Sequence, residues 1–191
     1  TGITNFLQLS KNFCGIIPKL LFYGENMTFE SQLYIPNKME YLRGHKRPKV
    51  DCIICSILQK DPAVKNLLVF ENETVGCSVN LYPYNAGHLF IFPVRHIVDP
   101  RELTEKEQSE MIKLCNFALT QLEEIYQPNG FNVGFNIGYA SGASIEHLHQ
   151  HIVPRYAREL GFVDIISGSK IIIEDPIVTL ERLRENFKKY E

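Results

Sequence analysis

Apolar positions fall into two rhythms along this chain. Leu67-Leu68-Val69-Phe70 and the stretches 75–81 and 88–92 read as three strands. Asn72-Glu73 makes the first turn between them, and Pro83, Asn85 and Gly87 make the second. The rhythm then changes. Met111, Leu114, Ala118, Leu122 and Ile125 recur every three or four residues, the stripe of a long helix buried on one side. Thr104 followed by Glu107 is a capping-box start, and Pro128-Asn129-Gly130 is a stop. Residues 131–137 alternate as a fourth strand, with Asn132, Gly134 and Asn136 on one side. His147-Leu148-His149-Gln150-His151 reads as a fifth, whose three imidazoles share a face while Leu148 and Ile152 point to a core. After Pro176, residues 177–190 read as a charged amphipathic helix. Strands, one long helix, strands and a last helix define an α+β fold with a mostly antiparallel sheet of about five strands, not a doubly wound one.

Composition narrows the function classes. With 191 residues the chain suits one domain, and 12 Phe and 9 Tyr supply a core. A net charge of -2 argues against a general nucleic-acid binder. Lys38, Arg43, Lys46, Arg47 and Lys49 do cluster, either as a solvated linker or as a clamp on a polyphosphate. Of five cysteines only Cys52 and Cys55 lie close together, unlike a disulfide framework. No run approaches the roughly 18 apolar residues of a membrane span. Residues 13–23 are apolar but carry Pro18 and Lys19, with no small-residue cleavage site after them. A cytoplasmic protein without nucleic-acid or membrane partners is expected. Residues 1–26, ahead of Met27, are assigned no chemistry.

Half of the six histidines occupy five consecutive positions. Adjacent imidazoles suit a metal site, nucleophilic catalysis or a structural polar seam. The loop upstream, Gly138-Tyr139-Ala140-Ser141-Gly142-Ala143-Ser144, tilts the choice. Its small residues leave backbone N–H groups available to line an anion pocket. A phosphate held against an imidazole nucleophile fits both features, because attack on phosphorus divides one hard displacement into two easier ones.

The segment His147-Leu148-His149-Gln150-His151-Ile152-Val153 resembles the signature of the histidine triad superfamily of nucleotide hydrolases and transferases. Gln150 departs from it, standing where that family usually has an apolar residue. Asn80-Leu81-Tyr82-Pro83-Tyr84-Asn85-Ala86-Gly87-His88, Pro93-Val94-Arg95-His96, Phe131-Asn132-Val133-Gly134-Phe135-Asn136, Val153-Pro154-Arg155 and Gly168-Ser169-Lys170 extend the likeness. Together they are closest to the diadenosine tetraphosphate phosphorylase branch, which is related to the fragile histidine triad hydrolases. The resemblance runs from about Leu33 to Ile173.

The resemblance implies nucleotidyl transfer on dinucleoside polyphosphates. His149 would attack the α-phosphorus and carry the nucleotidyl group, while the carbonyl of His147 holds its Nδ1 proton. His151 would contact phosphate oxygens, Gly142 and Ser144 the phosphate or leaving group, Asn80 a ribose hydroxyl, and Asn136 the nucleotide. Phosphate as acceptor makes a phosphorylase; water makes a hydrolase, and a nucleoside phosphoramidase is a further variant. A nucleotide-binding sensor without turnover is a rival of another class, as is a metal-handling protein with its ion on the triad.

Cys52 and Cys55 have knuckle spacing, but two ligands do not close a tetrahedral zinc site. His96 and His147 are the candidates for the rest, and the resemblance implies structural zinc on this combination; two ordinary thiols are the alternative. His88 is expected to pack or to support the site. Cys77 and Cys115 are expected in the core. A homodimer with one extended sheet is also implied. The expected organisation is an extension and basic arm over residues 1–50, the histidine triad domain over 51–173, and a C-terminal helix over 174–191.

Overall fold

The computed structural model describes residues 47–157 and 174–190. The basic arm up to residue 46 and Gly168-Ser169-Lys170 lie outside the described residues. Helix α1 spans Ile53–Leu58; strands β1 (Leu68–Glu71), β2 (Val75–Val79) and β3 (Leu89–Pro93) follow. Helix α2 (Glu105–Tyr126), β4 (Gly130–Phe135), β5 (Gln150–Arg155) and helix α3 (Pro176–Phe187) complete the order. The strands form one sheet in the order β1-β2-β3-β5-β4. Every pairing in it is antiparallel; turns join β1 to β2 and β2 to β3, whereas β5 reaches β3 only after α2 and β4.

Helix α2 starts where the capping box places it. Glu107 N–H donates to Thr104 Oγ1 at 3.2 Å, and Thr104 N–H donates to Glu107 Oε2 at 2.8 Å. It ends at Tyr126, with Gln127 in the left-handed region ahead of Pro128. Its stripe of Met111, Leu114, Ala118 and Leu122 is buried against Val75, Cys77, Val79, Leu89, Ile91 and Ile152 of the sheet. Burying each such side chain contributes about 1.5–3 kcal/mol. Leu180, Leu183 and Phe187 of α3 join that same core. Gly87 in the β2–β3 turn has φ +77°, and a Cβ there would stand 3.0 Å from Leu122. Only glycine takes that backbone without strain while letting the turn approach α2.

On the sheet's other face a smaller cluster of Ile54, Phe90 and Phe92 lies beneath α1. This helix corrects the reading of residues 51–55 as a bare knuckle. Cys52 is its N-cap, with Sγ accepting from Cys55 N–H at 3.4 Å. Strand ends also differ. The β2 strand stops at Val79 because Asn80 Oδ1 accepts from Tyr82 N–H at 2.9 Å and turns the chain.

Glu107 carries a pH-dependent share of the stability. The Arg95 guanidinium, 2.8 Å from its Oε2, together with Thr104, holds the carboxyl down to about 2 from an ordinary 4.5. Its contribution is complete above pH 4.5 and fades as the pH falls toward 2, where the folded state must take up the proton. Denaturant unfolding at stepped pH should show that acid slope flattened in Glu107→Gln. Thr104→Ala should cost about 1 kcal/mol at neutral pH by the same measurement.

Candidate active site and metal centre

Three chain segments meet at the edge of α1. Asn80 follows β2, Asn136 follows β4, and the loop before β5 brings Gly142 and Ser144. With His149 and His151 these side chains line one cavity, whose apolar part includes Ile53, Ile57, Val64, Leu67 and Phe90. Gly142 has φ +83° and caps the short 3-10 turn Tyr139–Ser141, a conformation that strains any L side chain.

The triad does not present all three rings to one space. Strand β5 begins at Gln150, so His147 and His149 precede it. Leu148 N–H donates to the Ile97 carbonyl at 2.6 Å, tying this approach to the turn after β3 rather than to the sheet ladder. His149 and His151 remain neighbours, with ring centroids 4.8 Å apart, and line the cavity. His147 turns toward Cys52, Cys55 and His96 instead. Gln150 is buried beside them, opposite Ile91 and Phe135 in the neighbouring strands.

Hydrogen bonds assign the ring protons. His149 Nδ1 lies 2.6 Å from the His147 carbonyl oxygen, so Nδ1–H donates and Nε2 carries the lone pair. Burial lowers the His149 pKa from its ordinary value, against the opposing pull of that bond, and favours the neutral ring at pH 7. Around His151 the sequence is longer. Tyr84 N–H donates to His88 Nδ1 at 3.0 Å, which leaves the proton on His88 Nε2. That atom is 3.0 Å from His151 Nδ1 and donates to it. His151 Nε2 then carries a proton; Asn136 Nδ2, 3.4 Å away, is itself a donor, so these two groups do not bond each other. His88 is wholly buried and sets the tautomer of the ring in the cavity. A histidine 63 residues away in sequence gave no signal beyond its place in the turn motif.

The second cluster fits a soft divalent cation. The donor atoms of Cys52, Cys55, His96 and His147 all lie within 4.8 Å of one another. His147 Nδ1 is 3.5 Å from Cys52 Sγ and 3.6 Å from Cys55 Sγ, and His96 Nδ1 is 3.4 Å from Cys55 Sγ. Tetrahedral zinc with ordinary Zn–S and Zn–N bonds separates its ligands by about 3.3–3.8 Å. The other nitrogen of His147 is 2.8 Å from the Pro93 carbonyl, so Nε2–H donates there and Nδ1 points its lone pair at the cluster. Burial also brings the His147 pKa down to about 4, keeping the ring in its neutral, ligating form. Burial, with Cys52 beside it, pushes the Cys55 thiol up to about 11; a divalent cation reverses that balance in favour of the thiolate. Cys77 and Cys115 are buried in the core, away from this group.

The HIT domain model matches residues 61–158, just over half of the chain. The chain belongs to the HIT family. Among HIT relatives, the AP-4-A phosphorylase of Mycobacterium tuberculosis is 40% identical over 109 residues, 56% of each chain. This chain therefore spans just over half of that relative's length. The asymmetrical bis(5'-nucleosyl)-tetraphosphatase of Schizosaccharomyces pombe is 26% identical over 103 residues, 54% of this chain and 57% of its own. A hypothetical histidine triad nucleotide-binding protein from Sulfolobus tokodaii strain 7 has the same HIT fold. Its crystal structure superposes with a TM-score of 0.59 at 25% identity, over 72% of this chain and 93% of that one. Among the described residues no helix is long and apolar enough to cross a membrane.

The cavity contains positions that periodicity did not single out. Ile53 and Ile57 belong to a helix of only 6 residues, below the length at which a stripe can be read. Lys65, Tyr82 and Tyr84 also line it. Two of these, Tyr82 and Tyr84, lie within the family-like stretch 80–88 and were legible as part of it.

Proposed function

We propose that this protein is a nucleotidyl-transferring enzyme acting on dinucleoside polyphosphates through a covalent intermediate on His149. One observation carries the reading: His149 Nδ1 is engaged by the His147 carbonyl at 2.6 Å, which leaves an Nε2 lone pair on a ring lining the cavity. The apolar side, with Ile53, Ile57 and Phe90, takes the base, and Asn80 takes a ribose hydroxyl. His149 Nε2 attacks the α-phosphorus; the N–P bond forms as the bond to the bridging oxygen breaks. The leaving nucleotide departs with that electron pair. His151 Nε2–H, Ser144 and the Gly142 backbone stabilise charge on the phosphoryl oxygens. An oxygen of inorganic phosphate then attacks phosphorus opposite Nε2; the N–P bond breaks, its electron pair returns to Nε2, and ADP leaves a neutral His149.

Cys52, Cys55, His96 and His147 would hold zinc as a structural cross-link between segments, supplying no step of the transfer. The same reading includes a homodimer and a cytoplasmic location, which suits the free thiols of Cys52, Cys55, Cys77 and Cys115. It keeps the division into 1–50, 51–173 and 174–191.

Product analysis with diadenosine tetraphosphate separates the readings. Attack at the α-phosphorus followed by phosphate yields ADP plus ATP, and turnover should require added phosphate. AMP plus ATP would make the protein a hydrolase, the activity named for the fission-yeast relative. Two ADP would exclude α-attack, and binding without products would leave a sensor.

His88→Ala removes the donor to His151 Nδ1 and with it the fixed tautomer. A hydrogen bond to a charged group is worth about 1.5–3 kcal/mol, so kcat should drop about 10- to 100-fold. Steady-state kinetics should show this with KM little changed; an unaltered kcat would remove His88 from the relay.

A further inference from the structure

The nucleotide cavity and the cysteine–histidine cluster share helix α1. Cys52 caps it and Cys55 sits in its first turn, both with Sγ in the cluster. Ile53 and Ile57, four residues apart and so on one face, line the cavity. Ile54 is wholly buried against Phe90 and Phe92. A helix of 6 residues does not sustain itself, because it never repays the cost of nucleation. The partners of its two cysteines come from elsewhere: His96 from the turn after β3, and His147 from the approach to β5. Tying all four donors together fixes the start of α1 against both segments. The apolar wall of the cavity then has one defined position.

We propose that metal occupancy of the Cys52, Cys55, His96 and His147 cluster sets the placement of Ile53 and Ile57 in the cavity wall. Metal loading thereby sets the affinity for the nucleoside part of the ligand. The inference rests on reading the cavity as a nucleotide site. Because these side chains are aliphatic and stand away from the phosphate loop in sequence, the coupling falls on the base. Gly142 and Ser144 lie on the loop ahead of His147, which the Leu148 N–H bond to the Ile97 carbonyl also holds, so the phosphate end depends on the metal less than the base does.

Two probes test this on the full chain, loaded with zinc or stripped with a chelator. By calorimetry, AMP should bind about tenfold more weakly after stripping, while ribose 5-phosphate should change less than about twofold. Coupling is reciprocal, so saturating AMP should also tighten zinc affinity, read by competition with a chelator of known affinity, by about tenfold. Ile57→Ala should weaken AMP binding in the loaded protein and shrink the effect of stripping to about threefold or less. Equal AMP affinity in both states overturns the proposal, as does loss of both probes together, which marks general collapse of the site. A zinc affinity that is the same with and without AMP also overturns it, and that competition starts from the folded, loaded protein. Failure of the loaded protein to bind AMP at all would instead sink the nucleotide reading.

Discussion

Replacing His149 with alanine is expected to lower kcat for diadenosine tetraphosphate by about ten-thousandfold or more, with the affinity for AMP changed less than about threefold. The asymmetry follows from where the side chain acts. Without the imidazole no N–P bond can form, and the single hard displacement is no longer divided into two easier ones. On the proposed function, base and ribose contacts come from Ile53, Ile57, Phe90 and Asn80, cavity residues that the substitution leaves in place. The lost group is also pre-organised: its Nδ1 proton is committed to the His147 carbonyl at 2.6 Å, so the ring needs no reorientation to attack. Rapid quenching with a substrate labelled in the α-phosphate, followed by intact-protein mass measurement, should show a nucleotidyl adduct on wild type and none on His149→Ala. Retention of more than about one hundredth of the wild-type rate by the variant would remove the covalent mechanism.

The parts of this molecule that local sequence specifies were readable in advance. Thr104 and Glu107 start α2 through bonds three residues long, and the stripe from Met111 to Leu122 needs only helical periodicity to be recognised. The antiparallel β1–β2–β3 run follows similarly from short strands and turns, whereas the place of β5 beside β3 is set by long-range pairing. What was not readable depends on long-range contacts. Alternation put His147, His149 and His151 on one face, yet the Leu148 bond to Ile97 lifts the first two off the strand. His147 thereby faces the cysteines while its carbonyl serves His149. The same residue joins the two centres through different atoms, as the family resemblance implied and as spacing alone does not encode. Likewise His88 gains its role from Tyr84 on one side and His151 on the other. Helix α1 is too short for a periodic pattern to betray it, and its importance lies in what its two faces touch.

Removing the metal should have the largest effect on stability. Protein prepared with zinc should carry one ion per chain by elemental analysis, and Cys55→Ser should abolish it, since a hydroxyl does not replace a thiolate on zinc. Free zinc at a thousandfold its dissociation constant stabilises the folded state by about 4 kcal/mol. At roughly 2–4 °C per kcal/mol for a chain of this size, the melting temperature should fall by about 8–16 °C in the variant or on chelation. The alternative of two ordinary thiols predicts something quite different. Cys52 and Cys55 are only half-buried, so exchange of one thiol for a hydroxyl outside a metal site should cost about 1 kcal/mol or less. The protein would then carry no zinc, and a chelator would leave its melting curve where it was. Geometry favours the first outcome. Two thiols and two imidazoles drawn from three separate segments have no packing reason to converge at separations of 3.4–3.6 Å. Nor would a purely structural His147 need its Nε2 proton committed to Pro93, leaving Nδ1 aimed at both sulfurs.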